Sequence, residues 1–202
     1  MTASAPRLYL AGDLVFRPDA AAIFERMRAI CRAAGCEGVA PFDGQHEVRG
    51  LPPGPETTLA IVRADKRIMD GCDGGVFCLD PFRRAPDMDP GTAVEIGYMA
   101  AQKKPLVGYT TDGRPYPEKV AAYFDQVFGA TLRLRAGEMQ EGAASGAMED
   151  PDGILAHSDG YVQNGMTEGF IRLSGGRVHA DPDLFRAFER AVAEIAARLR
   201  GP

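Results

Sequence analysis

Three short runs in this chain are apolar from end to end: Leu8-Tyr-Leu-Ala-Gly12, Gly75-Val-Phe-Cys-Leu79 and Leu106-Val-Gly-Tyr109. A strand with one face in water alternates polar and apolar residues, and these runs do not. They have to be covered on both faces, as strands inside a parallel sheet are. The intervening segments carry helical spacing. From Asp19 to about Ala34, Ile23, Met27 and Ile30 recur and Gly35 follows as a stop. Thr57 or Thr58 can cap a helix that runs to about Gly71, and Asp89 followed by Pro90 opens another that ends at Lys104-Pro105. Pro117 to Phe128 reads as helix. Leu184 to Leu199 carries an apolar stripe through Phe188, Val192 and Ile195. With Gly38-Val-Ala-Pro41 as a further short strand, the alternation predicts an α/β fold, a doubly wound parallel sheet with helices on both faces. Ligands bind such sheets beyond the carboxyl ends of the strands. The loops after Gly12, Pro41, Leu79 and Tyr109 are therefore the ones that matter.

The 202 residues suit a single domain over 1–202. Phe42 to Pro55 and Pro81 to Met88 read as loops. Ala136 to Gly153 has no periodicity and reads as a mobile surface loop or a plain connector. No run approaches the roughly 18 apolar residues of a membrane span. The N-terminal residues lack a basic segment followed by an apolar one, so a cytoplasmic location is expected. A formal charge of −5 argues against a nucleic-acid polymer as partner, because phosphate binding needs a basic surface. Cys31, Cys36, Cys72 and Cys78 form no CxxC pair and the three His have no zinc spacing, so reduced thiols and no metal are expected. Neither GxGxxG nor a P-loop pattern occurs, and no cofactor is expected.

Three carboxylates stand out. Glu95 lies between Val94 and Ile96 in an apolar helical run, where burial costs several kcal/mol unless the charge is paired or used. Its alternative is a helix stripe turned to water with Tyr98, Met99 and Gln102. Asp89 stands where that helix begins, and capping alone would account for it. Asp65 falls on the apolar stripe of Ile61, Ile68 and Met69, although Asp is a poor interior helix former. An ion pair with Arg67 or an exposed edge would also explain it. Together, near one sheet edge, the three suit nucleophilic attack at an acetal-like carbon with acid assistance. Tyr9 in the first strand is either a core tyrosine or a hydroxyl that reaches this site. Gln45 in Pro41-Phe-Asp-Gly-Gln45 could read the edge of a base or be solvated. His46 beside it reads as polar surface.

These residues resemble the nucleoside 2-deoxyribosyltransferases. The likeness runs from about Leu8 to Tyr109, with a second block around Gly160 to Met166. It rests on Tyr9-Leu-Ala-Gly12, Pro41-Phe-Asp-Gly-Gln45, Asp65 eight residues before Asp73, Pro81-Phe-Arg83 and, most specifically, Asp89-Pro-Gly-Thr-Ala-Val-Glu95-Ile-Gly-Tyr98. The resemblance implies a flavodoxin-like fold and a set of roles. Glu95 is the nucleophile at the anomeric carbon, Tyr9 orients it, and Asp65 protonates the departing base. Asp89 holds sugar hydroxyls and Gln45 contacts the base. Asn164 is lent to the sugar by a neighbouring subunit with Met166 beside it, and Phe16 is a further substrate contact. Implied partners are nucleosides and free nucleobases, in a homo-oligomer with shared sites. The Pro81-Phe-Arg83 loop looks like the purine-preferring branch. A nucleoside or nucleoside 5′-monophosphate N-glycosidase on the same scaffold is the nearest rival. It would call for a hydroxylated, basic cradle near Asn164, where only Ser158 and Arg172 flank the segment. A non-catalytic nucleotide-binding module is the second.

Overall fold

The computed structural model of the chain describes residues 4–48, 50–135, 147–158 and 160–201. Five parallel strands form the main sheet: β1 (Arg7–Ala11), β2 (Glu37–Val39), β3 (Gly74–Cys78), β4 (Leu106–Thr110) and, numbered eighth along the chain, β8 (Val178–Ala180). Their order is β2-β1-β3-β4-β8. The direction of winding reverses between β1 and β3, so a crevice opens where their carboxyl ends diverge. The helices are α1 (Ala20–Ala33), α2 (Pro55–Asp70), α3 (Pro90–Ala101), α4 (Tyr116–Phe128), α5 (Gly165–Leu173) and α6 (Leu184–Arg200).

The period of two along β1 sorts the core into layers. Leu8 and Leu10 pack with Phe24 and Met27 of α1 and with Phe188 and Ile195 of α6. Tyr9 and Ala11 point the other way, into a cluster with Met69 of α2, Ile96 and Met99 of α3 and Ile171 of α5. Tyr9 therefore lies under the two helices that carry Asp65 and Glu95. The doubly wound parallel sheet with helices on both faces is present as the apolar runs predict.

Some elements differ from the sequence-based expectation. The α2 cap is Gly54 followed by Pro55, not Thr57 or Thr58. The two hydroxyls instead donate backwards, to the carbonyls of Pro52 at 2.6 Å and Gly54 at 3.2 Å. Pro41–Val48 winds as two short 3-10 turns, together called the 3-10 helix below, that meet at a kink at Gln45 instead of forming an irregular loop. Of the expected loop at Ala136–Gly153, residues 136–146 lie outside the described residues. The remainder contains a strand, β6 (Met148–Glu149), paired antiparallel with β5 (Arg133–Leu134) and β7 (Leu155–Ala156). Glu149 holds this small sheet by accepting from Arg133 at 2.9 Å and Arg135 at 3.1 Å. All four cysteines are buried and unpaired. Among the described residues, no helix is long and apolar enough to cross a membrane.

Candidate active site

The crevice at the β1/β3 reversal is a cavity of about 350 Å³. Its lining includes Phe16, Gln45, Asp65, Asp89, Thr92 and Glu95. Each is delivered by a different local device. Gly12 ends β1 with φ 151°, and a Cβ there would sit 2.4 Å from the Cys78 Cβ. The chain can thus turn close over β3 and bring Phe16 to the mouth. The 3-10 helix after β2 carries Gln45, and Asp89 starts the helix that carries Glu95.

Glu95 is the centre of the arrangement. The Tyr9 hydroxyl donates to its Oε1 at 2.6 Å. Burial raises the Glu95 carboxyl to about 7, the Tyr9 bond opposes that rise, and the charges of Asp65 and Asp89 add to it. Burial and the adjacent Glu95 push the Tyr9 phenol far above its ordinary range, so it remains a neutral donor. Asp65 receives a bond from Gln45 Nε2 at 3.2 Å, and burial raises its carboxyl above the usual carboxylate range despite that bond. The alternative partner, Arg67, is turned away and pairs with Glu47 at 2.9 Å. Asp89 is the N-cap of α3: its Oδ2 accepts from Thr92 N at 2.8 Å and Thr92 Oγ1 at 3.0 Å. Both bonds end on one oxygen. Among the described residues Oδ1 accepts none, so capping uses only half of the group.

Three carboxylates line one cavity, and its described lining contains no Lys, Arg or His. Such a surface suits a neutral, hydroxyl-rich ligand on which positive charge develops. Carboxyl groups raised towards neutrality beside an orienting phenol are also the parts that a retaining glycosyl transfer uses. Among the described residues, no group of three or more His, Cys, Asp or Glu is arranged to hold a metal ion.

The expected residues do not all meet. Asn164 and Met166 line a separate groove of about 370 Å³ with Asp87, Ala93, Gly97 and Phe170. Helix α3 divides the two spaces, with Gly91, Thr92 and Glu95 on one side and Pro90, Ala93 and Gly97 on the other. Asn164 caps α5, its Oδ1 accepting from Met166 N at 2.9 Å, and both side chains are exposed. His46 is exposed on the 3-10 helix. Asp73 lies at the amino end of β3, where it accepts from Arg7 N at 2.7 Å.

Sequence reasoning missed three neighbours of the cavity. Phe42 belongs to its wall. Phe82 stacks on Phe16 with centroids 5.7 Å apart, and Arg83 lies over Phe82 at 4.6 Å. Asp13, just after Gly12, has a buried Oδ1 with no hydrogen-bond partner among the described residues, and its carboxyl is raised mainly by burial. The repeated aromatic residues in these loops were a usable signal for Phe42 and Phe82. Nothing in the sequence marks Asp13.

Comparison with known proteins bears on this geometry. A family model described as nucleoside 2-deoxyribosyltransferase matches residues 8–166. An uncharacterized protein of Schizosaccharomyces pombe is 59% identical over 194 residues, which cover 96% of this chain and 90% of that protein. A 2-desoxiribosyltransferase from Leishmania mexicana shares the fold with a TM-score of 0.57 at 24% identity, covering 93% of this chain and 97% of that one. A conserved protein from Enterococcus faecalis does so with a TM-score of 0.56 at 20% identity, covering 94% and 98%.

Proposed function

This chain belongs to the nucleoside 2-deoxyribosyltransferase family, and we propose that it transfers 2-deoxyribose between nucleobases by double displacement through an ester on Glu95. The observation that carries the reading is the half-buried Glu95 carboxylate, held at 2.6 Å by Tyr9 in a cavity shared with Asp65 and Asp89.

In the first half-reaction the free oxygen of Glu95 attacks the sugar C1′ as the bond to the base nitrogen breaks. Asp65 delivers its proton to that nitrogen, which leaves as the neutral base. Positive charge on the sugar at the transition state faces the Glu95 and Asp89 carboxylates. In the second half-reaction the Asp65 carboxylate takes a proton from the incoming base. Its nitrogen then displaces Glu95, with net retention at C1′. Tyr9 occupies one Glu95 oxygen and leaves the other to the sugar. Asp89 Oδ1 accepts from a sugar hydroxyl, Gln45 contacts the base beside Asp65, and Phe16 offers it a stacking face.

The absence of a basic side chain from the described lining favours nucleosides over nucleoside 5′-monophosphates. Asn164 and Met166 serve the cavity of a second copy. An exposed apolar run in the same region, Val94, Met166, Phe170 and Leu173, supports that assembly.

Intact-protein mass spectrometry after brief exposure to a 2′-fluoro-2′-deoxynucleoside tests the mechanism. A sugar adduct that maps to Glu95 is the expected result, and an unmodified Glu95 with turnover intact would falsify it. Incubating a deoxynucleoside with a second base separates transfer from hydrolysis. Exchanged nucleoside marks the transferase, and free 2-deoxyribose alone marks the N-glycosidase.

A further inference from the structure

Gln163 stands directly before Asn164, and the mechanism above gives it no role. Its side chain is wholly buried, with 0% exposure. Buried amides are costly unless satisfied, and this one uses both its ends. Its Nε2 donates to the carbonyl of Leu79, at the end of β3, and to that of Pro86, both at 3.3 Å. Its Oε1 accepts from the backbone N–H of Asn164 at 2.9 Å. One side chain therefore touches the strand end beneath the cavity, the loop that leads into Asp89 and α3, and the residue presented to the outer groove.

The surrounding bonds make this junction stiff. Lys119 is 3% exposed and donates to the carbonyl of Val162 at 2.7 Å, while Val162 N donates to buried Glu168 at 2.8 Å. Tyr116 N donates to the carbonyl of Tyr161 at 2.9 Å, and the Tyr116 hydroxyl to Asp87 at 2.8 Å. The segment 161–164 and the loop 80–89 are thus laced together from two sides. The loop also carries Phe82, which packs on Phe16 at the cavity mouth.

We propose that Gln163 is a positioning residue that makes the placement of Asn164 and the shape of the chain's own Asp80–Asp89 loop a single event. This rests on the function proposed above, in which Asn164 reaches the sugar in a second copy. On that reading Gln163 links two cavities: a ligand that draws Asn164 inward in one also sets the loop before Asp89 in the other. Displacements of about 1 Å far from the chemistry can cost about 10²-fold in rate or affinity. An amide is needed, because Met fills the volume without donating and Glu sets an acceptor against two carbonyls.

A double-mutant cycle on the full chain tests this, with base exchange as the assay. Gln163→Met is expected to raise KM for the deoxynucleoside about 10-fold while changing kcat less, as loss of ground-state sugar contacts does. The pH midpoint of kcat should stay in place, since the Tyr9–Glu95 pair is untouched. Combined with Asn164→Ala, it should lose clearly less than the product of the two single effects, because the two residues share part of one action. Multiplying losses, or a moved pH midpoint, overturn the proposal. Should Gln163→Met fail to fold, Tyr116→Phe cuts only the neighbouring bond to Asp87. The same KM-weighted signature is expected at smaller size, and unchanged kinetics or a loss confined to kcat overturns the proposal. If the native protein exchanges no bases, the function proposed above fails instead. The cycle is then read by calorimetric binding of the deoxynucleoside, with the same non-additivity expected and additive losses overturning the coupling.

Discussion

The two sides of α3 make opposite uses of the same helix. On one side Thr92 and Glu95 face an acidic crevice whose three carboxylates each accept from a neighbouring donor, Tyr9 on β1, Gln45 on the 3-10 helix and Thr92 on α3 itself. On the other, Ala93 and Gly97 line a groove flanked by exposed Met166 and Phe170, with Asp87 as the single carboxylate of its described lining. The first side gathers three carboxylates of one chain in a confined space, where charge is costly to hold. The second offers apolar area and an exposed amide, which suits contact with another copy. On the proposed reading, the residues for catalysis and those for assembly stand back to back on the twelve residues of one helix.

The sharpest way to break that contrast is Glu95→Gln. Exchange should fall by on the order of 10⁴-fold or more, as loss of a covalent nucleophile does. Stability should move the opposite way. The folded-state pKa of about 7 lies above the ordinary 4.5, so the folded chain binds the proton more tightly. Stability contributed by that proton is complete below about pH 4.5 and lost as pH rises through about 7. The shift corresponds to roughly 3 kcal/mol. Thermal melts should therefore show Glu95→Gln gaining on the native chain above pH 7 and matching it near pH 4. A lower melting temperature at pH 8 would mean that Glu95 is a structural partner and not a strained reactive group.

A smaller effect is expected at Asp65→Asn. Loss of acid assistance should lower kcat/KM by about 10²–10⁴-fold for ordinary bases and much less for a base that leaves readily. Equal losses for both would assign Asp65 to binding. Tyr9→Phe should reduce exchange about 10-fold. It should also shift the acid limb of the kcat/KM profile upward from about pH 7, because the bond that lowers the Glu95 pKa is gone. The smallest effect on a single chain belongs to the outer side. Leu173 is 83% exposed, so Leu173→Glu should leave the melting temperature within about 2 °C, since surface changes fall within about 0.5 kcal/mol. The same change should lower the mass in light scattering and raise KM in proportion. An unchanged mass would remove the assembly role from this face.

Legibility in the sequence followed the range of the interactions. The main sheet was readable because β1, β3 and β4 must be covered on both faces, which dictates local composition. The edge strand Val178–Ala180 was not, since its three residues, two half-exposed and one exposed, pair with β4 alone among the described residues. Helix α5 was missed because little besides its N-cap, Asn164, announces it. The small sheet joins segments with no apolar run and depends on Glu149 meeting two arginines across the chain. At the site, Asp89 and Glu95 stood out as an acid at a helix start and an acid in an apolar helical run, while Tyr9 was left between core and site until the family resemblance was considered. Gln163 looks like any polar loop residue until its reach to Leu79 and Pro86 is seen. Phe82 finds Phe16 across 66 positions of sequence.

Asp89 divides its two oxygens between jobs: one fastens the first turn of α3 and the other is left to the crevice. An asparagine has a single oxygen to give. Turned so that it still grips Thr92, the amide would aim its NH₂ where the native residue offers a lone pair. The helix would start as before, yet the wall would greet a hydroxyl with a donor in place of an acceptor. At this position a swap of one atom reverses the polarity a guest encounters while the scaffold stays as it was.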